Sequence, residues 1–85
     1  MKNIKYKITK ELSCQDYLAL ANQLSKSALG LWYYLYSERP SKIKPSDYCK
    51  ISGISRTRYY DSLNELIEKH FLLHYSEDTL ILTHC

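Results

Sequence analysis

Gly53 stands between two stretches of helical periodicity, and that interruption decides most of what the chain can fold into. It is one of only two glycines in 85 residues. After it, Tyr59, Leu63, Leu66 and Ile67 recur at the three-four spacing of a buried stripe. This predicts a helix from about Ser55 to His70, with Arg56, Thr57, Tyr60, Asp61 and Asn64 facing outward. Before it, Asp47 to Ser52 predicts a short helix capped by Ser46, with Asp47 near its positive end. Glycine tolerates the left-handed backbone that a tight turn needs, and Ser55 can cap the helix that follows. So short a connection sets the second helix across the first. Cys49, Ile54, Tyr59 and Leu63 are expected to be buried at the crossing and to lock its angle. The amino end of the second helix then projects from the body.

The flanks give a strand, two helices and a hairpin. Ile4, Tyr6 and Ile8 alternate with Lys5 and Lys7, the period-2 pattern of a strand with one apolar side. Such a strand needs an edge to pair with. The alternatives are the hairpin of the same chain and a second copy of the protein, which would make a homodimer. Ser13 and Asp16 resemble a capping box ahead of a helix from about Cys14 to Asn22. Ser25 can cap a second helix, whose Ala28, Leu31, Trp32, Leu35 and Tyr36 face the core. Gly30 within it can allow close packing, and Pro40 ends it. Phe71 to Tyr75 and Thr79 to Thr83 read as strands around a Ser76-Glu77-Asp78 turn.

Length favours a single domain. Its parts are an arm over 1–12, a helical core over 13–70 and a hairpin over 71–84. The expected fold is mainly α, with a three-helix core and a two- or three-stranded sheet. Hydrophobic and charged residues make up 45% and 25% of the chain, ordinary globular values that argue against disorder. Nine tyrosines against one Phe and one Trp imply a core whose rim is lined by rings with wet hydroxyls.

The net charge is only +3, but it is unevenly placed. Arg39 to Tyr60 holds six basic side chains (Arg39, Lys42, Lys44, Lys50, Arg56, Arg58) against the single acid Asp47. From Asp61 onward five acids face one lysine, Lys69. A basic middle with an acidic end points to one face that meets polyanions and another that does not.

Several classes are disfavoured. Cys14, Cys49 and Cys85 form no CxxC pair and no disulfide framework, which fits a reducing cytoplasm. The lysine-rich start lacks the apolar run of a signal peptide, and no segment is apolar for long enough to cross a membrane. His70 and His74, with His84 and Cys85, are the candidates for a metal, but the first two straddle a helix end and no metal or other cofactor is expected. No nucleophile motif, Gly-rich phosphate loop or apolar carboxylate pair is present, so an enzyme is not expected.

Gly53-Ile54-Ser55-Arg56-Thr57, followed by Leu63, Leu66, Glu68-Lys69 and Phe71-Leu72, resembles the winged helix-turn-helix of bacterial, plasmid and phage DNA-binding proteins. Leu24-Ser25, Ala28 and the Leu-Trp-Tyr-Tyr-Leu segment are similar to the first helix of such domains in plasmid and phage replication proteins. The resemblance spans about Leu24 to Thr83. It implies a transcriptional or replication accessory factor that binds double-stranded DNA. The residues expected to contact DNA are Ser55, Arg56, Thr57, Arg58, Tyr60 and Asn64 on the recognition helix, with Lys42, Lys44 and Ser46 ahead of it. Arg56 can grip guanine or phosphate bidentately, and the amides after Ser55 can accept a phosphate.

Two positions depart from the pattern. His70 stands where glycine usually follows the recognition helix, and the wing tip is the acidic Glu77-Asp78. The acidic tip supports a second reading, a protein-interaction winged helix that docks on a host or replication protein. Arg39, Lys42 and Lys44 fit either a phosphate clamp or a solvated loop. Tyr33, Tyr34 and Tyr36 read as core and rim rather than as a base-stacking platform.

Overall fold

The computed structural model describes residues 2–8 and 11–83. Four helices and a four-stranded sheet follow in the order β1 (Lys2–Tyr6), α1 (Cys14–Gln23), α2 (Lys26–Glu38), β2 (Lys42–Ile43), α3 (Pro45–Ser52), α4 (Arg56–Glu68), β3 (Leu72–Ser76) and β4 (Thr79–Leu82). The fold is therefore mixed α/β, with more sheet than the sequence led one to expect.

Each helix start has a local cause. Ser13 and Asp16 close a reciprocal capping box on α1. Ser25 caps α2 by accepting from the Ala28 amide, and Ser55 caps α4 by accepting from the Arg58 amide. Ser46 does not cap α3. That helix starts one residue earlier, at Pro45, with Lys44 in the N-cap position and no side-chain bond there. Proline explains the shift, because its fixed φ and missing N–H suit the first helical position.

The helix ends are equally specific. Gly53 takes the left-handed conformation at φ 76. The helix α2 stops at Glu38, before Pro40, with Arg39 left-handed at φ 45. Its guanidinium lies over the Tyr6 and Tyr36 rings, and its Nε donates to the Tyr36 carbonyl. Arg39 thus serves the fold. After α4, His70 is left-handed at φ 66. Its amide donates to the Ile67 carbonyl and that of Phe71 to the Leu66 carbonyl. This double bond pattern closes a helix in the way glycine usually allows, and histidine enters that region more readily than most residues.

The sheet order is β2-β1-β4-β3. The strand β1 runs parallel to β4 and antiparallel to β2, and β3 and β4 form the hairpin. The amino-terminal strand thus runs over Lys2–Tyr6 rather than Ile4 to Ile8, and it pairs with the hairpin over Asn3–Tyr6. The strand β2 covers β1 only at Lys2 and Asn3, so this part of β1 offers no edge to a second copy. Ile4, Ile43, Leu72, Leu80 and Leu82 form the buried inner face.

Against that face pack Ala28, Leu31, Trp32 and Leu35 of α2 and Tyr59, Leu63 and Leu66 of α4. Trp32 is fully buried, stacks on Tyr36 at 5.2 Å and donates from Nε1 to the Thr83 carbonyl. The Tyr6 hydroxyl donates to the Pro40 carbonyl at 2.6 Å. These long-range bonds tie α2 and its exit to the sheet. The helix α1 adds one buried side chain, Leu20. Its Tyr17 meets Tyr33 of α2 edge to face, with both residues exposed.

Candidate nucleic-acid interface

The turn that aims α4 consists of Gly53, Ile54 and Ser55 between α3 and α4. The crossing is locked differently from the sequence expectation. Cys49 and Ile54 are only half-buried, whereas Tyr48, one residue earlier, is buried. Tyr48 contacts Tyr34 of α2 at 5.0 Å between ring centres and Tyr59 of α4 at 5.7 Å. A row of three tyrosines thus connects three helices, which accounts for part of the unusual tyrosine content. Burial pushes the Tyr59 hydroxyl up to about 12 and raises that of Tyr48 as well.

The helix α4 places its inner stripe as predicted, with Tyr59, Leu63 and Leu66 buried and Ile67 half-buried. Ser62 is also buried, and its hydroxyl donates to the Arg58 carbonyl. The predicted outward residues Arg56, Thr57, Tyr60, Asp61 and Asn64 are all exposed, as are Ser55 and Arg58. Helix geometry leaves the Arg56 and Thr57 amides without intrahelical acceptors beside those two guanidinium groups. Ser55, Arg56, Thr57 and Arg58 therefore converge at one helix end, and Tyr60 and Asn64 continue from it along the exposed surface. Asp61 lies on the same outward surface.

The charges at this end run against the helix's own electrostatics. A helix amino terminus carries a partial positive charge, and each cation beside it costs roughly 0.3–1 kcal/mol. The helix α3 obeys the rule, with Asp47 in its first turn and Lys50 in its last. In contrast, α4 has no acid in its first turn and opens with Arg-Thr-Arg. Neither arginine is held by a carboxylate among the described residues.

The remaining predicted contacts are more dispersed. Lys44 and Ser46 are exposed at the start of α3. Lys42 is exposed on β2, where its cross-strand partner is Asn3 of β1, so it stands on the outer face of the sheet.

One residue absent from the sequence expectation lies next to the turn. Lys26 and Ser27 of α2 line an open cleft of about 350 Å³ together with Gly30, Tyr48, Ser52 and Ile54. Lys26 follows the Ser25 cap directly, again a cation at a positive helix end. That local conflict was legible in the sequence and could have singled it out.

The hairpin tip is the two-residue turn Glu77-Asp78, both exposed, and the Asp78 carbonyl accepts from the Asn3 amide. Among the described residues no three His, Cys, Asp or Glu side chains gather as metal ligands. His84 and Cys85, named above with His70 and His74, lie outside the described residues. No described helix is long and apolar enough to cross a membrane. No protein family, curated protein or solved structure was found to match the chain.

Proposed function

We propose that this chain is a small winged-helix protein that binds double-stranded DNA, as a transcriptional or replication accessory factor of a bacterium, plasmid or phage. The three helices α2, α3 and α4 form the helical core, α4 is the recognition helix, and the β3–β4 hairpin is the wing. The carrying observation is the amino end of α4, where two exposed arginines are set against the helix dipole. Stability alone gives no reason for that placement, whereas a bound phosphate satisfies both cations and the helix end. Arg56 and Asn64 supply the geometries that match guanine and adenine edges, and Tyr60 lies between them. Arg58, Lys42, Lys44 and Ser46 hold the backbone and set register.

The test is substitution of Arg56. Duplexes selected by the parent protein from a random pool should bind Arg56→Ala more weakly by ~1–3 kcal/mol if Arg56 reads a base edge. Equal binding by the variant would remove α4 from the interface.

The acidic tip favours a second reading, in which the domain docks on a protein through the wing. Glu77 and Asp78 at an exposed turn repel phosphates within a Debye length, ~8 Å at physiological salt. In the DNA-binding reading the tip therefore points away from the duplex.

A further inference from the structure

The outer face of the sheet, turned away from the helices, is a second polar and aromatic surface. Alternation along the strands fixes its members. Ile4 and Leu80 are buried partners, so their neighbours Lys5 and Ile81, which are also paired, point outward. Leu73 pairs with Ile81 and is 38% exposed. Lys7 continues the lysine row beyond β1, its amide bonded to the Leu82 carbonyl. Lys42 borders the row on β2. Among the outward strand positions every formal charge is positive, and the two acids are confined to the tip.

Tyr75 completes the surface. The pairing of β3 and β4 shifts between His74 and Ser76, leaving Tyr75 as an extra residue in a bulge. Neither Glu77 nor Asp78 has a positive φ, so the hairpin lacks the primed turn that matches strand twist, and the bulge absorbs the mismatch. A bulge also re-aims its side chain. Here the Tyr75 ring lies under Lys5 Nζ at 5.3 Å, although β4 separates the two strands, and the residue stays 70% exposed.

We infer that this outer face binds single-stranded nucleic acid, with Lys5 and Lys7 on the phosphates and Tyr75, Leu73 and Ile81 under the bases. The backbones that carry Lys5 and Tyr75 are two strand spacings apart, about 9.6 Å, with Ile81 of β4 between them. At the rise of an extended chain, Lys5 in β1 and Lys7 just past its end are about 6.6 Å apart, a repeat that successive phosphates can follow. A polyanion alone would explain the lysines but not the exposed ring beside them. A duplex keeps its base faces stacked inside and cannot use Tyr75, whereas a single strand presents them. Stacking of this kind tolerates any base, so the face needs no sequence code. The site is separate from the amino end of α4 and stands whether or not that end binds duplex DNA.

Fluorescence anisotropy with a labelled 15-nucleotide oligothymidylate tests the inference on the full chain. Tyr75→Ala should weaken binding roughly fivefold or more, because a stacked base is lost. Tyr75→Phe should retain it. Lys5→Gln should weaken it and reduce the salt slope by about 0.7. Lys50→Gln, an exposed cation on α3 away from this face, should leave it unchanged. If Tyr75→Ala proves unstable, the Tyr75 ring resonances of the parent should shift on titration with the oligonucleotide. The inference is overturned if Tyr75→Ala binds as the parent does or those resonances stay fixed. It is equally overturned if Arg56→Ala alone abolishes binding. Parent protein that ignores the oligonucleotide but binds anionic vesicles or a polyglutamate peptide would also refute it.

Discussion

The two glycines should respond to alanine with opposite signs. Gly53 sits at φ 76, and a Cβ added there would meet nothing within 4 Å. The cost of Gly53→Ala is therefore backbone strain alone, roughly 1–2 kcal/mol for an L-residue held in the left-handed region. Gly30 lies inside α2, and a Cβ there would reach the Tyr48 hydroxyl at 3.9 Å, an ordinary contact. Close packing does not require glycine at that position. Gly30→Ala should thus recover the helix propensity that glycine forfeits, about 0.8–1 kcal/mol.

For a domain of this size 1 kcal/mol moves Tm by roughly 4–8 °C. Thermal unfolding followed by circular dichroism at 222 nm should therefore separate the variants by roughly 7–24 °C, one on each side of the parent. Gly53→Asn should fall between Gly53→Ala and the parent, because asparagine enters the left-handed region more easily. If Gly53→Ala melts with the parent, the turn does not need a left-handed residue and the helix crossing described here is wrong. If Gly30→Ala melts lower, α2 packs more closely at Gly30 than the structure shows.

Two further predictions concern titration and the tip. Burial raises the hydroxyls of Tyr6 and Tyr59 from the ordinary 10.0 to about 12. Between those values the unfolded chain releases protons that the folded chain keeps, so stability is intact below pH ~10 and falls as pH rises toward ~12. Denaturant midpoints taken over that range should decline, and a flat profile would refute the burial of these rings. Replacing Glu77 and Asp78 by Lys should raise affinity for non-specific duplex DNA and damage any protein contact made through the tip. Loss of DNA binding in a folded double variant would mean that the wing touches DNA directly.

Local chemistry made much of the fold legible. Ser13, Ser25 and Ser55 announce their helices because their caps depend on neighbours within three residues. The Gly53 turn and the buried stripe of α4 follow from spacing in the same way. The strand β2 could not be read, since its two residues, Lys42 and Ile43, carry no periodicity and become a strand only through β1. The parallel pairing of β1 with β4 joins residues some 76 positions apart, and alternation alone left its partner open between hairpin and second copy. Tyr48 was missed as the centre of the tyrosine row because α3 is too short for a clear stripe. At the candidate interface, exposure of Arg56 and Arg58 was expected. Lys26 carried a legible cue, a cation just after the Ser25 cap, but its place beside the turn came only from the fold.

The central claim is that phosphates meet the amino end of α4 and also Lys42 and Lys44, which stand apart from it on β2 and at the start of α3. It is tested most directly by the salt dependence of binding to a random-sequence duplex. If Arg56, Arg58, Lys42 and Lys44 each neutralise one phosphate, log K should fall with log salt at a slope of about −3.6. The double variant Arg56→Ala, Arg58→Ala should halve that slope, to about −1.8. A parent protein whose affinity is indifferent to salt, or a double variant with the parental slope, would contradict the assignment.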